Sequence, residues 1–259
     1  MSRVVAVAGK GGTGKTTVAS LLIRYLIHTG KRPVLAVDAD ADSNLPQALG
    51  MANEKTLGTV GRARQEFFDS KGSVPAGMTK EALLELKLNQ VLVESEDIDL
   101  LAMGRPEGPG CYCYINNVLR KYLEMLGKNY PYVIIDNEAG LEHLSRRTAQ
   151  DIDVLAVVTD YSMNGLRAAT RIKELADEMR LTVGSVGLIV NCAPESVAPG
   201  FSEEVVKTGL PVLGYIPEDT LVPGYDIERK PVIGLPETSP AVVSVNAIAE
   251  MLFCSGDGN

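Results

Sequence analysis

The sequence predicts a doubly wound α/β domain, a mostly parallel β-sheet with helices on both faces. Three observations carry this prediction. Short β-branched apolar runs recur along the chain, and they are apolar throughout instead of alternating, which suits strands covered on both sides. Helical patterns lie between many of them. A glycine-rich phosphate-binding pattern, GKGGTGKTT from Gly9 to Thr17, joins the first such run to the first helical pattern.

The elements follow in order. VVAVAG from Val4 reads as the first strand, and TTVASLLIRYLIHTG as a helix that closes on Gly30, a glycine C-cap. PVLAVDAD from Pro33 is the second strand. Residues 51–96 are less regular, with a helical stretch, TKEALLELKLNQVL, and a Gly/Ser/Pro patch, DSKGSVPAG. They are expected to form an insertion between two strands of one domain spanning 1–259, not a second domain. IDLLAMG from Ile98 is a strand, YINNVLRKYLEMLG a helix ending on Gly127, and YVIIDNEAG from Tyr132 a strand. DVLAVVTD from Asp153, SVGLIVNC from Ser185 and PVLGYIPED from Pro211 complete the strands. SMNGLRAATRIKELADEMR and SPAVVSVNAIAEMLF supply two further helices, and the last residues, CSGDGN, are expected to fray.

Composition narrows the function. With 259 residues, 45% hydrophobic, the chain can build a sizeable core. A net charge of −8 argues against a protein that coats nucleic acid, which needs a basic face. No apolar run is long enough to span a bilayer. The N-terminus lacks the form of a signal peptide, so a cytoplasmic location with reduced thiols is expected. The four cysteines are then expected to be free of disulfides. Cys192 and Cys254 read as structural, and His28 and His143 as isolated. Cys111 and Cys113 form a CxC pair, too few thiolates for a closed tetrahedral metal site. They sit ahead of a helix, whose N-terminus lowers thiol pKa values and favours metal ligation.

The phosphate loop fits G-x-x-x-x-G-K-[ST] through Gly9, Gly14, Lys15 and Thr16. Backbone N–H groups from Gly11, Gly12, Thr13 and Gly14 through Thr17 would surround phosphate oxygens, helped by the positive end of the helix that follows. Lys15 would reach the β and γ phosphates, and the Thr16 hydroxyl would ligate Mg²⁺. In VDADADSN, Asp38, Asp40 and Asp42 crowd the C-terminal end of a strand, where ligands of such sheets bind. Crowded carboxylates call for a cation, and Mg²⁺ with ATP supplies one. The N-K-x-D tetrad by which GTPases commonly read guanine does not occur.

Lys10 is a second lysine in the loop. With it, KGGTGKT resembles the deviant Walker A loop of a family of P-loop ATPases. That family includes the Min- and Par-type positioning ATPases, the arsenite and tail-anchor targeting ATPases and the nitrogenase iron protein. The resemblance implies an ATP-dependent homodimer in which Lys10 reaches the partner's phosphates. It also implies that Asp40 orients or deprotonates the attacking water, with Asp42 near the Mg²⁺ shell. Asp136, in a Walker B-like strand, would hold a Mg²⁺-bound water, and the Gly140 backbone would meet the γ phosphate, with Glu138 a weaker candidate. Asn191, Pro217 and Asp219 are carried over as the adenine-holding residues, which favours ATP over GTP.

A two-fold dimer would bring both CxC pairs together, so that two thiolates from each chain make four. The combination of KGGTGKTT, VDADADSN, GCYCY and DNEAGLEHLSRRT is similar to the nickel-insertion accessory ATPases of carbon monoxide dehydrogenase and their relatives in the acetyl-CoA synthase pathway. That resemblance implies ATP-driven dimer cycling that takes up and releases Ni²⁺ or Zn²⁺ at the CxC pair. The recipient would be a nickel–iron–sulfur enzyme, and neither nucleic acid nor membrane would be a partner. Three rivals fare less well. An iron-protein-type electron carrier needs a second cysteine shortly after Walker B, and Asn137 to Arg147 contains none. A membrane-positioning ATPase needs a basic amphipathic C-terminal helix, and AVVSVNAIAEMLFCSGDGN has no Lys or Arg. A nickel GTPase of hydrogenase assembly typically carries His-rich tracts, and this chain has two histidines.

Overall fold

The computed structural model describes residues 2–40, 42–52, 59–69, 77–104, 122, 124–138 and 152–254. Eight strands form one sheet in the order β3-β4-β2-β5-β1-β6-β7-β8. They are β1 (Arg3–Gly9), β2 (Val34–Ala39), β3 (Leu92–Val93), β4 (Ile98–Ala102), β5 (Tyr132–Asn137), β6 (Ile152–Asp160), β7 (Val183–Ala193) and β8 (Val212–Pro217). All neighbours pair in parallel except β3, which lies antiparallel on β4 at one edge.

The described helices are α1 (Lys15–His28), α2 (Leu45–Ala48), α3 (Val60–Asp69), α4 (Lys80–Asn89), α5 (Met163–Glu178), α6 (Pro199–Lys207), α7 (Leu221–Ile227) and α8 (Pro240–Cys254). Residues 124–128 are also helical, within the segment expected to end a helix at Gly127.

Strand side chains alternate between faces, so the continuous apolar run of β1 serves two cores. Val4, Ala6 and Ala8 join one cluster with Val60, Phe67, Leu84 and Leu88 from α3 and α4 and Leu166, Ile172 and Phe201 from α5 and α6. Val5 and Val7 join the other with Leu21, Leu22 and Leu26 of α1 and Val245, Ile248 and Leu252 of α8. Each Val, Leu, Ile or Phe side chain removed from water contributes about 1.5–3 kcal/mol before chain entropy is counted.

The irregular segment 51–96 supplies α3, α4 and β3; Val60, Phe67, Leu84, Leu88 and Val91 join the first of these clusters and Val93 the second. β3, α2, α3, α6 and α7 are additions to the elements expected from the sequence. β3 is two residues long, and α2 and α7 are four and seven, too short for periodicity to reveal. α6 is announced only by Pro199 at its first turn.

The topology fixes where a ligand can bind. After β1 the chain crosses to β2 on one side, with β5 between them, and β6 pairs with β1 on the other side. The C-terminal end of β1 is therefore a switch point, where open parallel sheets leave a crevice.

Candidate functional site

The loop after β1 is bounded by two glycines, Gly9 and Gly14, that leave no room for a side chain. A Cβ on Gly9 would lie 2.2 Å from the Val158 carbonyl oxygen of the neighbouring strand. Gly14, the residue before α1, has φ +88°, and a Cβ there would meet Asn191 Nδ2 at 2.3 Å. Asn191, near the end of β7, donates from that nitrogen to the Thr13 carbonyl at 2.9 Å and so pins the loop from two strands away in the same sheet.

Within the loop, the Lys10 carbonyl is the hub. It accepts from the Thr13 hydroxyl at 2.8 Å, the Thr13 N–H at 3.3 Å and Lys15 Nζ at 3.4 Å. The Lys10 side chain is exposed, whereas Lys15 is buried at the start of α1.

Two acidic strands flank the loop. Asp38 on β2 and Asp136 on β5 are register partners on adjacent parallel strands, and both are buried. The Thr16 hydroxyl donates to Asp136 Oδ2 at 2.6 Å, while Asp136 Oδ1 is buried with no hydrogen-bond partner among the described residues. Asp38 accepts the N–H of Asp40 at 3.0 Å on one oxygen and that of Leu45 at 3.1 Å on the other. This holds the turn that carries Asp40 into the cleft. Asp40 Oδ1 in turn accepts the Asp42 N–H at 2.9 Å.

Electrostatics follow from this crowding. Burial, then the neighbouring Asp136, pushes the Asp38 carboxyl up to about 7, against the two backbone N–H groups that favour its charge. Burial pushes Asp136 up to about 6, opposed by the Thr16 hydroxyl and Lys15. The neighbouring Asp136 carboxylate thus adds to the cost that burial sets on the charged form of Asp38. Buried carboxylates short of counter-charge, one with an orphaned oxygen, beside a threonine hydroxyl make an all-oxygen donor set that fits a hard divalent cation such as Mg²⁺.

Two cavities meet along the loop. One, of about 620 Å³, is walled by Gly11, Gly12, Gly14, Lys15, Thr16 and Thr17, by Asp40 and Asp42, and opposite them by Val222, Pro223, Asp226 and Lys230. The other, of about 380 Å³ and more apolar, is lined by Asn191, Cys192, Pro217, Asp219, Leu21 and Val245 among others. They share Gly12, Gly14, Thr17, Val222 and Pro223.

The structure thus brings together the loop residues, Asp38, Asp40, Asp42 and Asp136 on one side and Asn191, Pro217 and Asp219 on the other. Asp219 lines the second cavity with its carboxylate engaged by the Ser239 hydroxyl and by the N–H groups of Leu221 at 2.9 Å and Ala241 at 3.2 Å. Burial alone would raise its pKa; these donors together hold it below the usual carboxylate value. It therefore fastens α7 and α8 to the end of β8. Glu138 is half-buried just beyond β5. Gly140, Cys111, Cys113 and His143 lie outside the described residues.

Two sequence expectations need correction. Cys192, read as structural, is exposed and lines the apolar cavity, whereas Cys254, also exposed, keeps a structural contact, its sulfur 3.5 Å from the Tyr25 hydroxyl and from Lys31 Nζ. The wall formed by α7 and Lys230 was missed altogether. Its only signal was the position of LVPGYDIERK directly after a strand end at the ligand-binding edge of the sheet.

Comparison with known proteins agrees with this layout. A family model described as the CobQ/CobB/MinD/ParA nucleotide binding domain matches residues 4–232. An uncharacterised ATP-binding protein of Methanocaldococcus jannaschii is 43% identical over 96% of this chain and 98% of its own. The carbon monoxide dehydrogenase accessory protein CooC of Rhodospirillum rubrum is 32% identical over 86% of each chain. Among solved structures, the MinD cell division protein of Aquifex aeolicus shares the fold with a TM-score of 0.72 at 23% identity, covering 99% of both chains.

Proposed function

The chain belongs to the CobQ/CobB/MinD/ParA family of P-loop ATPases, and from that premise we propose an ATP-dependent metallochaperone that works as a homodimer. The observation that carries the nucleotide reading is the continuity of the two cavities along Gly12, Gly14 and Thr17. One is polar and loop-walled, sized for phosphates, and the other is apolar, sized for a base. The backbone from Gly11 to Thr17 binds the phosphates. Lys15 exchanges the Lys10 carbonyl for phosphate oxygens. Thr16 would hold Mg²⁺, with Asp38 and Asp42 nearby, and Asp136 would hold a water bound to it; the ion would neutralise phosphate charge. Asn191 and Pro217 border the base, while Asp219 keeps their loop in place.

Hydrolysis requires a water attacking the γ-phosphorus, with the β–γ bridging oxygen leaving on ADP. Asp40 orients that water and takes its proton. Lys10, exposed on the loop, reaches the nucleotide of a second copy, so ATP draws two chains together. Closure brings Cys111 and Cys113 of both chains into one four-sulfur site for Ni²⁺ or Zn²⁺, the cargo. Hydrolysis loosens the pair and releases the ion to an acceptor nickel enzyme of the carbon monoxide dehydrogenase/acetyl-CoA synthase type. Support for the metal step comes from the CxC pair and from the 32% identity to a carbon monoxide dehydrogenase accessory protein.

Equilibrium dialysis against Ni²⁺ and Zn²⁺, with and without ATP, tests the proposal. Metal retention is expected to need nucleotide and both thiols. Cys111→Ala and Cys113→Ala should each abolish it while ATP binding persists. Unchanged metal stoichiometry in both variants would remove the CxC pair from the mechanism.

A further inference from the structure

Two cations are buried among the described residues, and both lie on α1. Lys15 begins the helix and serves the phosphate loop. Arg24 stands further along the same helix, about 13 Å from Lys15 along its axis. It is 4% exposed and lines neither cavity. Its guanidinium grips one stretch of chain. Nε donates to the Ile233 carbonyl at 3.1 Å and Nη2 to the Leu235 carbonyl at 3.2 Å. Glu237 closes the fork, with Oε1 2.7 Å from Nη2 and Oε2 3.3 Å from Nη1.

That stretch is the far anchor of the wall opposite the loop. Val232, the residue before Ile233, lines the polar cavity, as does Lys230. α7 joins the same stretch through the Tyr225 hydroxyl, which donates to the Gly234 carbonyl at 3.2 Å. α7 has no buried residue, and its Val222 and Tyr225 are only partly buried. Its distance from the loop therefore depends on the anchors at either end of the segment. Asp219 fastens the end next to β8, and Arg24 fastens the other. Val232 and Leu235 pack there as well, but apolar contact is non-directional, whereas a planar guanidinium fixes orientation. A buried ion pair adds little net stability over well-packed apolar residues. Its distinct contribution here is geometric: it ties the helix that carries Lys15 and Thr16 to the wall that faces them.

We propose that Arg24 is a positioning residue for nucleotide retention. It clamps the wall at a fixed distance from the phosphate loop and so sets how fast a bound nucleotide leaves. Loss of the clamp lets residues 221–235 move outward without altering the groups that activate water. The inference rests on the nucleotide reading of the cleft. It gives α1 a second role, separate from the loop at its start.

The test is stopped-flow release of a fluorescent ATP analogue from the full-length protein with Mg²⁺, chased by unlabelled ATP, beside steady-state phosphate release and hydrogen exchange. The variants are Arg24→Lys, Arg24→Met and Glu237→Gln. Lysine keeps the charge but cannot bridge two carbonyls and a carboxylate at once. Loss of hydrogen bonds to a charged group should make both Arg24 variants release nucleotide about tenfold faster and raise KM by about the same factor, with kcat within about twofold of wild type. The Glu237 side chain is 61% exposed, so Glu237→Gln perturbs folding least. It should speed release about two- to threefold. Amides of residues 221–235 should exchange faster in the variants while those of β1 and β5 keep their wild-type rates. Wild-type release rates in folded Arg24→Lys and in Glu237→Gln overturn the inference and leave the nucleotide reading standing. So does a fall in kcat at unchanged KM, or faster exchange throughout the core, which a purely structural role would give. No binding of the analogue or of ATP itself by the wild type overturns the nucleotide reading and this inference with it.

Discussion

Replacing Asp38 by Asn should make the nucleotide-free protein more stable at pH 8 and leave it unchanged at pH 5. Asp38 titrates near 7 in the folded chain against 3.8 for the unperturbed group. The folded state therefore binds this proton more tightly than the unfolded state, and stability falls as pH rises from about 4 to about 7. The difference of roughly 3 units corresponds to a penalty of about 4 kcal/mol once the group is ionised. Asn removes that penalty but offers only one acceptor oxygen, where the carboxylate serves both Asp40 N–H and Leu45 N–H. One buried N–H then faces an amide NH₂, at a cost of about 1–3 kcal/mol.

The balance is a gain of about 1–3 kcal/mol at pH 8. At pH 5 the wild-type penalty shrinks to about 1.6 kcal/mol, because only the unfolded chain is then ionised, and the lost backbone contact offsets it. Urea unfolding with a chelator present at both pH values measures this directly. A variant less stable than wild type at pH 8, or a difference independent of pH, would refute the reasoning that Asp38 is held beside Asp136 against its own electrostatics. The same variant should bind Mg²⁺–ATP more weakly, since a site strained for a ligand trades stability for function.

Other perturbations separate the parts of the site. Lys15→Ala should abolish nucleotide-dependent dimerisation, seen as a monomer by light scattering in saturating Mg²⁺–ATP. Gly14→Ala forces a side chain at φ +88° against Asn191. The left-handed backbone alone costs about 1–2 kcal/mol, so ATP affinity by titration calorimetry should fall about tenfold or more. Asp40→Asn should bind ATP within a few-fold of wild type but hydrolyse it about 10²- to 10⁴-fold more slowly; normal phosphate release would remove Asp40 from the water-activating role.

Much of this site is legible in the sequence because its parts are local. The loop from Gly9 to Thr17 is a contiguous pattern whose glycines answer to one strand contact and one left-handed turn. Asp38 and Asp136 could each be placed at a strand end from apolar runs. Their pairing in register required the order β2-β5-β1, which no local pattern encodes.

Asn191 and Pro217 were assigned by resemblance, and the structure lines one cavity with both. It also gives Asn191 a contact the resemblance had not named, the Thr13 carbonyl. The α7 wall was invisible for a physical reason. A seven-residue helix with no buried side chain has no apolar stripe, and its importance comes only from where the end of β8 delivers it. Cys192 was misread because a cysteine closing a buried strand is usually packed, whereas here it sits within the irregular last residues of β7 with φ +51° and is exposed.

The account stands most directly on the composition of the closed particle. Native mass spectrometry of Asp40→Asn with Mg²⁺, ATP and Ni²⁺ should give a species of two chains, two nucleotides and one nickel ion, and removal of ATP should return monomers without nickel. One nickel on each isolated chain, or a nucleotide-bound dimer that never takes up the ion, would contradict it.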